Sequence, residues 1–183
     1  MTKVGIFVGS LRKESVTKKL AESVATMFPE GFETEFIEIE NLPFYNEDLD
    51  TEDNPHEEYT KFRNTMKDVD ALLFVTPEYN RTMPAVIKNA LDVGSRPIGQ
   101  SIWDNKPAAV MSQSVSGLAG FGANHNIRQA LTFLNVYPMQ QPEVYVGGSW
   151  ELFDENGKLN NEDTANFLQS TVDAFVAHIE RLK

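Results

Sequence analysis

Ala71-Leu72-Leu73-Phe74-Val75 is an unbroken apolar run with no polar alternate position to face water. A short run of this kind reads as a strand covered on both faces, the situation of a central strand in a parallel sheet. On its N-terminal side Tyr59, Phe62, Met66 and Val69 recur at helical spacing. On its C-terminal side a polar stretch, Thr76 to Pro84, leads into a second helical pattern through Ile87, Ala90 and Leu91 to Gly94. Helix, buried strand and helix in succession point to a parallel sheet with right-handed crossovers.

The rest of the chain repeats that unit. Lys3 to Val8 is a short β-branched and aromatic run ended by Gly9, and from Ser15 onward Val16, Leu20 and Val24 take helical spacing. Glu33 to Ile39 alternates like a strand with one polar face, which suits an edge position beside the first strand. Ala108 to Met111 is the next strand, followed by a helix carrying Ile127, Ala130, Leu131 and Leu134 on one face. Val136-Tyr137 and Val144-Tyr145-Val146 give a last strand in two pieces. Asp154 to Gly157 is a turn, and Asn160 or Asn161 caps a final helix whose Leu168, Val172, Phe175 and Ile179 face inward. Five strands alternate with five helices over residues 1–183, with no repeat or linker, so one domain is expected. The expected architecture is a flavodoxin-like three-layer α/β sandwich: a five-stranded parallel sheet of order 2-1-3-4-5, helices on both faces, and reversal between strands one and three.

Ligands of such sheets lie outside the carboxyl ends of the strands, near that reversal. Three polar loops fall there. The first, Gly9-Ser10-Leu11-Arg12-Lys13-Glu14-Ser15, joins a strand to a helix N-terminus, whose free N–H groups and dipole favour an anion. It has neither the Gly-x-x-x-x-Gly-Lys-Ser/Thr pattern of a triphosphate loop nor the Gly-x-Gly-x-x-Gly of a dinucleotide loop. A single terminal phosphate fits its hydroxyls better, although Ser15 would equally serve as a plain helix cap. The second loop, Thr76 to Pro84, offers Tyr79, Asn80 and backbone N–H groups to a flat polar ring. The third, Ser112 to Gly122, is rich in small residues that let a ligand approach the backbone.

Composition narrows the function. Lys and Arg total 16 against 27 Asp and Glu, a net charge of −11, which opposes nucleic acid and anionic membrane. The absence of cysteine removes disulfides, thiol nucleophiles and thiolate metal sites. No apolar run reaches membrane-spanning length, and the N-terminus enters a strand without a leader pattern, so a cytoplasmic protein is expected. From Glu47 to Glu58 there are seven acidic residues and no basic one, which reads as a solvated surface loop. His56 stands in it without partners at zinc-ligand spacing, so no metal site is expected.

Taken together, Gly9-Ser10-Leu11-Arg12-x-x-Ser15, Pro77-Glu78-Tyr79-Asn80, Lys88-Asn89-Ala90-Leu91-Asp92 with Ser95-Arg96-Pro97, and Ser112 to Gly117 resemble the NADPH-dependent FMN reductase family, which includes quinone, azo-dye and chromate reductases. The resemblance covers nearly the whole chain in order. It implies FMN as cofactor, NADPH or NADH as co-substrate, and a small-molecule electron acceptor. By the resemblance, Ser10, Arg12, Ser15 and Thr17 hold the FMN phosphate, with Thr17 standing where the family usually has Asn. Pro77, Glu78, Tyr79 and Asn80 run along the isoalloxazine ring, and Ser114, Val115 and Gly117 contact its other edge. Gly122 replaces a common Arg. The flavin carries the chemistry, so no catalytic side chain is expected. The resemblance also implies a homodimer across the Pro84–Gly94 helix, with Arg128 and Glu143 as an ion pair between dimers in a homotetramer. Two alternatives stay open on sequence: a flavodoxin-type electron carrier, and a flavin-binding regulatory protein without turnover.

Overall fold

The computed structural model describes residues 1–183. In chain order the elements are β1 (Thr2–Val8), α1 (Val16–Ala25), β2 (Phe32–Phe36), β3 (Asp50–Thr51), β4 (Asn54–Pro55), α2 (Glu57–Thr65), β5 (Ala71–Thr76), α3 (Ala85–Gly94), β6 (Pro107–Gln113), α4 (Phe121–Phe133), β7 (Tyr137–Pro138), β8 (Val144–Val146) and α5 (Glu162–Leu182). The main sheet runs β2-β1-β5-β6, and both β7 and β8 pair with the far side of β6. Every pairing in it is parallel. Counting β7 and β8 as one interrupted strand and setting the small hairpin aside, this is the expected 2-1-3-4-5 order.

The alternation of side chains along β5 builds the two cores. Leu72 and Phe74 pack with α2, α3 and α4 residues such as Phe62, Ile87 and Ile127, around Trp103. Ala71, Leu73 and Val75 pack with Leu20 and Val24 of α1 and with Leu168, Val172 and Phe175 of α5. Every residue of β5 is buried, as a strand between two helical layers must be. Gly94 is demanded by this packing, since a Cβ there would lie 2.5 Å from the Trp103 indole.

Two details differ from the sequence reading, and one choice it left open is decided. First, β2 ends at Phe36 instead of reaching Ile39; the Ile37 N–H still donates to Ile6 O at 2.9 Å, after which Ile39 and Leu42 turn inward to pack with Tyr59 and Phe62. Second, Asn161, not Asn160, caps α5, its side chain accepting from the Thr164 N–H.

Third, the acidic stretch is not simply a solvated loop. Asp50 and Thr51 pair with Pro55 and Asn54 in an antiparallel hairpin. The Asp50 carboxylate, 3 % exposed, takes a two-pronged pair from Arg63 at 2.7 and 2.6 Å. Arg63 donates further to Val93 O, so α2 clamps the hairpin to the last turn of α3. His56 is a helix cap, its Nδ1 accepting from the Glu58 N–H. Upstream, the buried Asn89 of α3 holds the 42–45 segment by donating to Leu42 O and Pro43 O and accepting from the Tyr45 N–H.

Candidate functional site

The loops after β1, β5 and β6 leave the same edge of the sheet and are tied to one another. Gly9 donates its N–H to Val75 O at 2.9 Å. A Cβ on Gly9 would lie 2.8 Å from Thr76 Oγ1 and 3.0 Å from Pro77 Cδ, so only glycine lets the first two loops lie this close.

Beyond Gly9 the chain turns into α1 with Ser15 as its cap, Oγ accepting from the Lys18 N–H at 3.1 Å. That bond occupies one lone pair and leaves the hydroxyl proton free to be donated. No backbone N–H from Ser10 to Thr17 finds an acceptor within the protein. Ser10 and Ser15 are buried at its base, and Arg12 reaches out from it with no carboxylate within ion-pair distance. Unanswered donors, two hydroxyls and one free guanidinium make an anion cradle.

Thr17 is placed differently from its expected neighbours. It is 1 % exposed, and its Oγ1 accepts a 2.7 Å bond from Nε2 of Gln113 at the end of β6. In this arrangement Thr17 braces the first turn of α1 against the sheet, and, as at Ser15, the accepted bond leaves the hydroxyl proton free to be donated. Gln113 escaped the sequence reading because a lone polar residue closing a strand has no periodic signal, and its partner is 96 residues away.

The second loop folds back on itself. The N–H groups of Tyr79 and Thr82 each bond the other's carbonyl, at 3.1 and 3.0 Å. Asn80 and Arg81 between them have φ of 51° and 67°. Asn tolerates that left-handed region; Arg rarely adopts it, so the tip holds local strain of about 1–3 kcal/mol. Three contacts with α4 keep it in place. The Glu78 carboxylate accepts from the Ala123 N–H at 3.0 Å, answering a free donor of that helix's N-terminus. Asn126 accepts from the Thr82 hydroxyl and, more weakly, from the Met83 N–H. Gly122 leaves room for this seating, since a Cβ there would lie 2.6 Å from Arg81 O. The Glu78 carboxylate therefore serves α4 through Oε2 and Arg81 through Oε1 at 3.4 Å, while Tyr79 is 47 % exposed and the N–H groups of Glu78 and Asn80 have no acceptor within the protein.

The third loop is anchored at its ends and open between them. The Ser114 N–H donates to Val146 O, and the Ser116 N–H to the Ser114 hydroxyl. Asn124, fully buried, donates to Val110 O and Val144 O and so ties α4 to β6 and β8 beneath the loop. Ser114, Val115 and Gly117 thus lie at the same sheet edge as the first two loops, with Val115 exposed. At its far end Phe121, His125 and Tyr145 stack together, His125 Nε2 lying 2.8 Å from the Tyr145 hydroxyl. Burial, with the Glu143 charge behind it, pushes the Tyr145 hydroxyl pKa up.

A doubly wound parallel sheet whose first turn is an anion cradle, flanked by two loops over the same edge, defines a flavodoxin-like mononucleotide-binding protein. Within that class the chain belongs to the NADPH-dependent FMN reductase family, which matches residues 2–151. It is 49 % identical over 177 residues to a quinone reductase of Pseudomonas putida, covering 97 % of this chain and 94 % of that one. It is 41 % identical over 177 residues to a 2-hydroxy-1,4-benzoquinone reductase of a Burkholderia species, covering 97 % and 96 %. The flavoenzyme NAD(P)H:(acceptor) oxidoreductase FerB of Paracoccus denitrificans superposes with a TM-score of 0.91 at 37 % identity, covering 99 % and 98 %. The chain is an NAD(P)H-dependent oxidoreductase with FMN as cofactor.

Proposed function

We propose that this protein is an NAD(P)H-dependent FMN reductase that delivers its electrons to quinones, with the FMN phosphate held in the Ser10–Ser15 cradle. The observation that carries the reading is the uninterrupted run of backbone N–H groups from Ser10 to Thr17 without a protein acceptor, beside an unpaired Arg12. A phosphate dianion answers those donors, and they fit it as they stand. When bound, FMN takes hydride from the nicotinamide nucleotide and hands electrons to the acceptor.

The chain's own part is binding and orientation. Ser10, Ser15 and Arg12 fix the phosphate end. The free N–H groups and ring of the Pro77–Asn80 loop lie along one side of the flavin, and Ser114, Val115 and Gly117 along its other edge. Thr17 enters the site through Gln113, by fixing the helix turn whose N–H groups meet the phosphate. No side chain is assigned a proton: reduction of a quinone to its hydroquinone takes two electrons and two protons, of which the nucleotide's hydride would supply both electrons and one proton and solvent the other. The quinone acceptor is supported by the names of the relatives from Pseudomonas and Burkholderia. The alkyl and aromatic groups at the site mouth, Val115 and Tyr79, suit a flat apolar acceptor.

The test is an anaerobic visible spectrum of the purified protein. We expect a flavin spectrum that NADPH or NADH bleaches within the mixing time of a manual addition and that a benzoquinone restores. A bound flavin that neither nucleotide bleaches would make this a carrier or regulatory protein, and no flavin after incubation with FMN would remove the cradle assignment.

We also infer a cytoplasmic homodimer. No helix is long and apolar enough to cross a membrane. The groove between α3 and α4, about 480 Å³, is rimmed by Phe133, whose side chain is 91 % exposed. A second copy laid across α3 would cover it, and a monomer mass by light scattering would remove the idea. The Arg128–Glu143 pair between dimers has weaker support. Arg128 donates to Asn124 Oδ1 and Met139 O within its own chain, and the side chain paired with Glu143 at 3.8 Å is the imidazole of His125.

A further inference from the structure

A fourth loop reaches the ligand edge of the sheet. β8 runs parallel to β6 with Val146 beside Gln113 as their last pair, so the segment 147–152 leaves at the same edge as Ser114. It lies directly against the third loop. The Ser149 N–H donates to Ser114 O at 3.2 Å, and a Cβ on Gly147 would lie 3.3 Å from Ser116 O and 3.7 Å from Gly117 Cα. Ser149 and Leu152 are buried, and the Glu151 N–H donates to Gly148 O, so the segment is a single fixed turn. From it Trp150 stands 71 % exposed, whereas the chain's other tryptophan, Trp103, is fully buried.

An indole presented in this way keeps most of its apolar area in water and gains the fold little. Val115 and Leu118 of the third loop are exposed as well. Three large apolar side chains on two joined loops at the ligand edge form a surface that a flat apolar molecule can cover. The charges of the two loops point the same way. No cation occurs from Ser112 to Gly122 or from Val144 to Gly157, and the second stretch holds Glu151, Asp154 and Glu155. That balance suits a neutral ring and repels an anion, the reverse of the cradle around Arg12. At the foot of the turn the Ser149 hydroxyl is the only buried side-chain polar atom without a partner, so the chain's own bonding is incomplete there.

We infer that Trp150 is a specificity-determining residue of the acceptor site, its indole stacking on the ring of a neutral quinone with Val115 at the same mouth. The inference rests on the FMN reductase reading and deepens it by naming a side chain that chooses the acceptor. A flavin alone passes electrons to a ring or to an inorganic anion; the loop after β8 favours the ring.

The experiment uses the FMN-loaded enzyme with 1,4-naphthoquinone and ferricyanide as acceptors. In Trp150→Ala, kcat/KM for naphthoquinone is expected to fall about threefold to tenfold, through KM, the range of one aromatic contact. For ferricyanide, an anion with no ring to stack, it is expected to move by less than about twofold. Trp150→Phe keeps a ring and is expected to recover most of the loss, and the FMN content of both variants is expected to match wild type. Equal losses for the two acceptors, no loss for either, or a phenylalanine variant as poor as the alanine one would overturn the assignment. Lost FMN would place Trp150 on the cofactor, slower bleaching by the nucleotide would place it on the co-substrate, and a lower assembly mass with intact kinetics would make it a subunit contact; each overturns it. A wild-type protein that reduces both acceptors while its variants fail these comparisons fails this inference alone. One that takes up no FMN, or whose flavin neither nucleotide bleaches, fails the reading beneath it.

Discussion

Replacing Arg63 with alanine is expected to lower stability by about 3–5 kcal/mol, the usual cost of leaving a buried charge without its partner. For a chain of this length that corresponds to a melting temperature lower by roughly 10 °C. The reason lies in what the side chain does three ways at once. It meets the Asp50 carboxylate in a two-pronged pair, donates to Val93 O, and lies over the Tyr59 ring at 5.6 Å. Asp50 is 3 % exposed, so water cannot replace the lost guanidinium without opening the hairpin. The control is Arg63→Met with Asp50→Leu, in which no charge is stranded; that pair is expected to recover most of the loss. Thermal unfolding of the three proteins decides it. A shift of only a degree or two in Arg63→Ala would mean that the hairpin opens freely and the pair holds nothing.

That pair also marks where sequence reasoning ran out. The acidic stretch reads as uniform, seven carboxylates in a dozen positions, and nothing in its pattern singles out Asp50 from Asp48 or Glu52. What singles it out is a cation on a helix face 13 residues away, a tertiary fact. The same holds for Gln113 and Thr17, and for Glu78, whose carboxylate serves the N-terminus of α4. By contrast, the sheet order and the three loops were legible because they rest on local rules. An apolar run such as Ala71–Val75 has to be buried on both faces, and Ser15 before an amphipathic run has to cap it. The Tyr79–Thr82 turn lies between these cases: Asn80 is a residue that signals positive φ, but Arg81 beside it is not, and only the seating against Gly122 explains its conformation.

Arg12→Ala is expected to weaken FMN binding by about 10- to 100-fold, the range for removing a hydrogen bond to a charged group. Riboflavin, which lacks the phosphate, is expected to bind wild type and variant alike. The argument turns on Arg12 being a charged side chain of the cradle that no other group of the protein occupies. Ser15 must cap α1 and Thr17 is taken by Gln113, so their loss would disturb the helix turn and cost both flavins. Arg12 is exposed and unpaired, so its removal leaves the fold as it is and isolates the charge effect. Because the interaction is between a surface cation and a dianion, the wild-type affinity for FMN is expected to fall with added salt, and less steeply in the variant. Fluorescence titration of apoprotein with each flavin, at two salt concentrations, separates the cases. Equal losses for FMN and riboflavin would place Arg12 on the ring or in the fold instead of on the phosphate, and unchanged FMN affinity would leave the backbone N–H groups of Ser10 to Thr17 to hold the dianion without it.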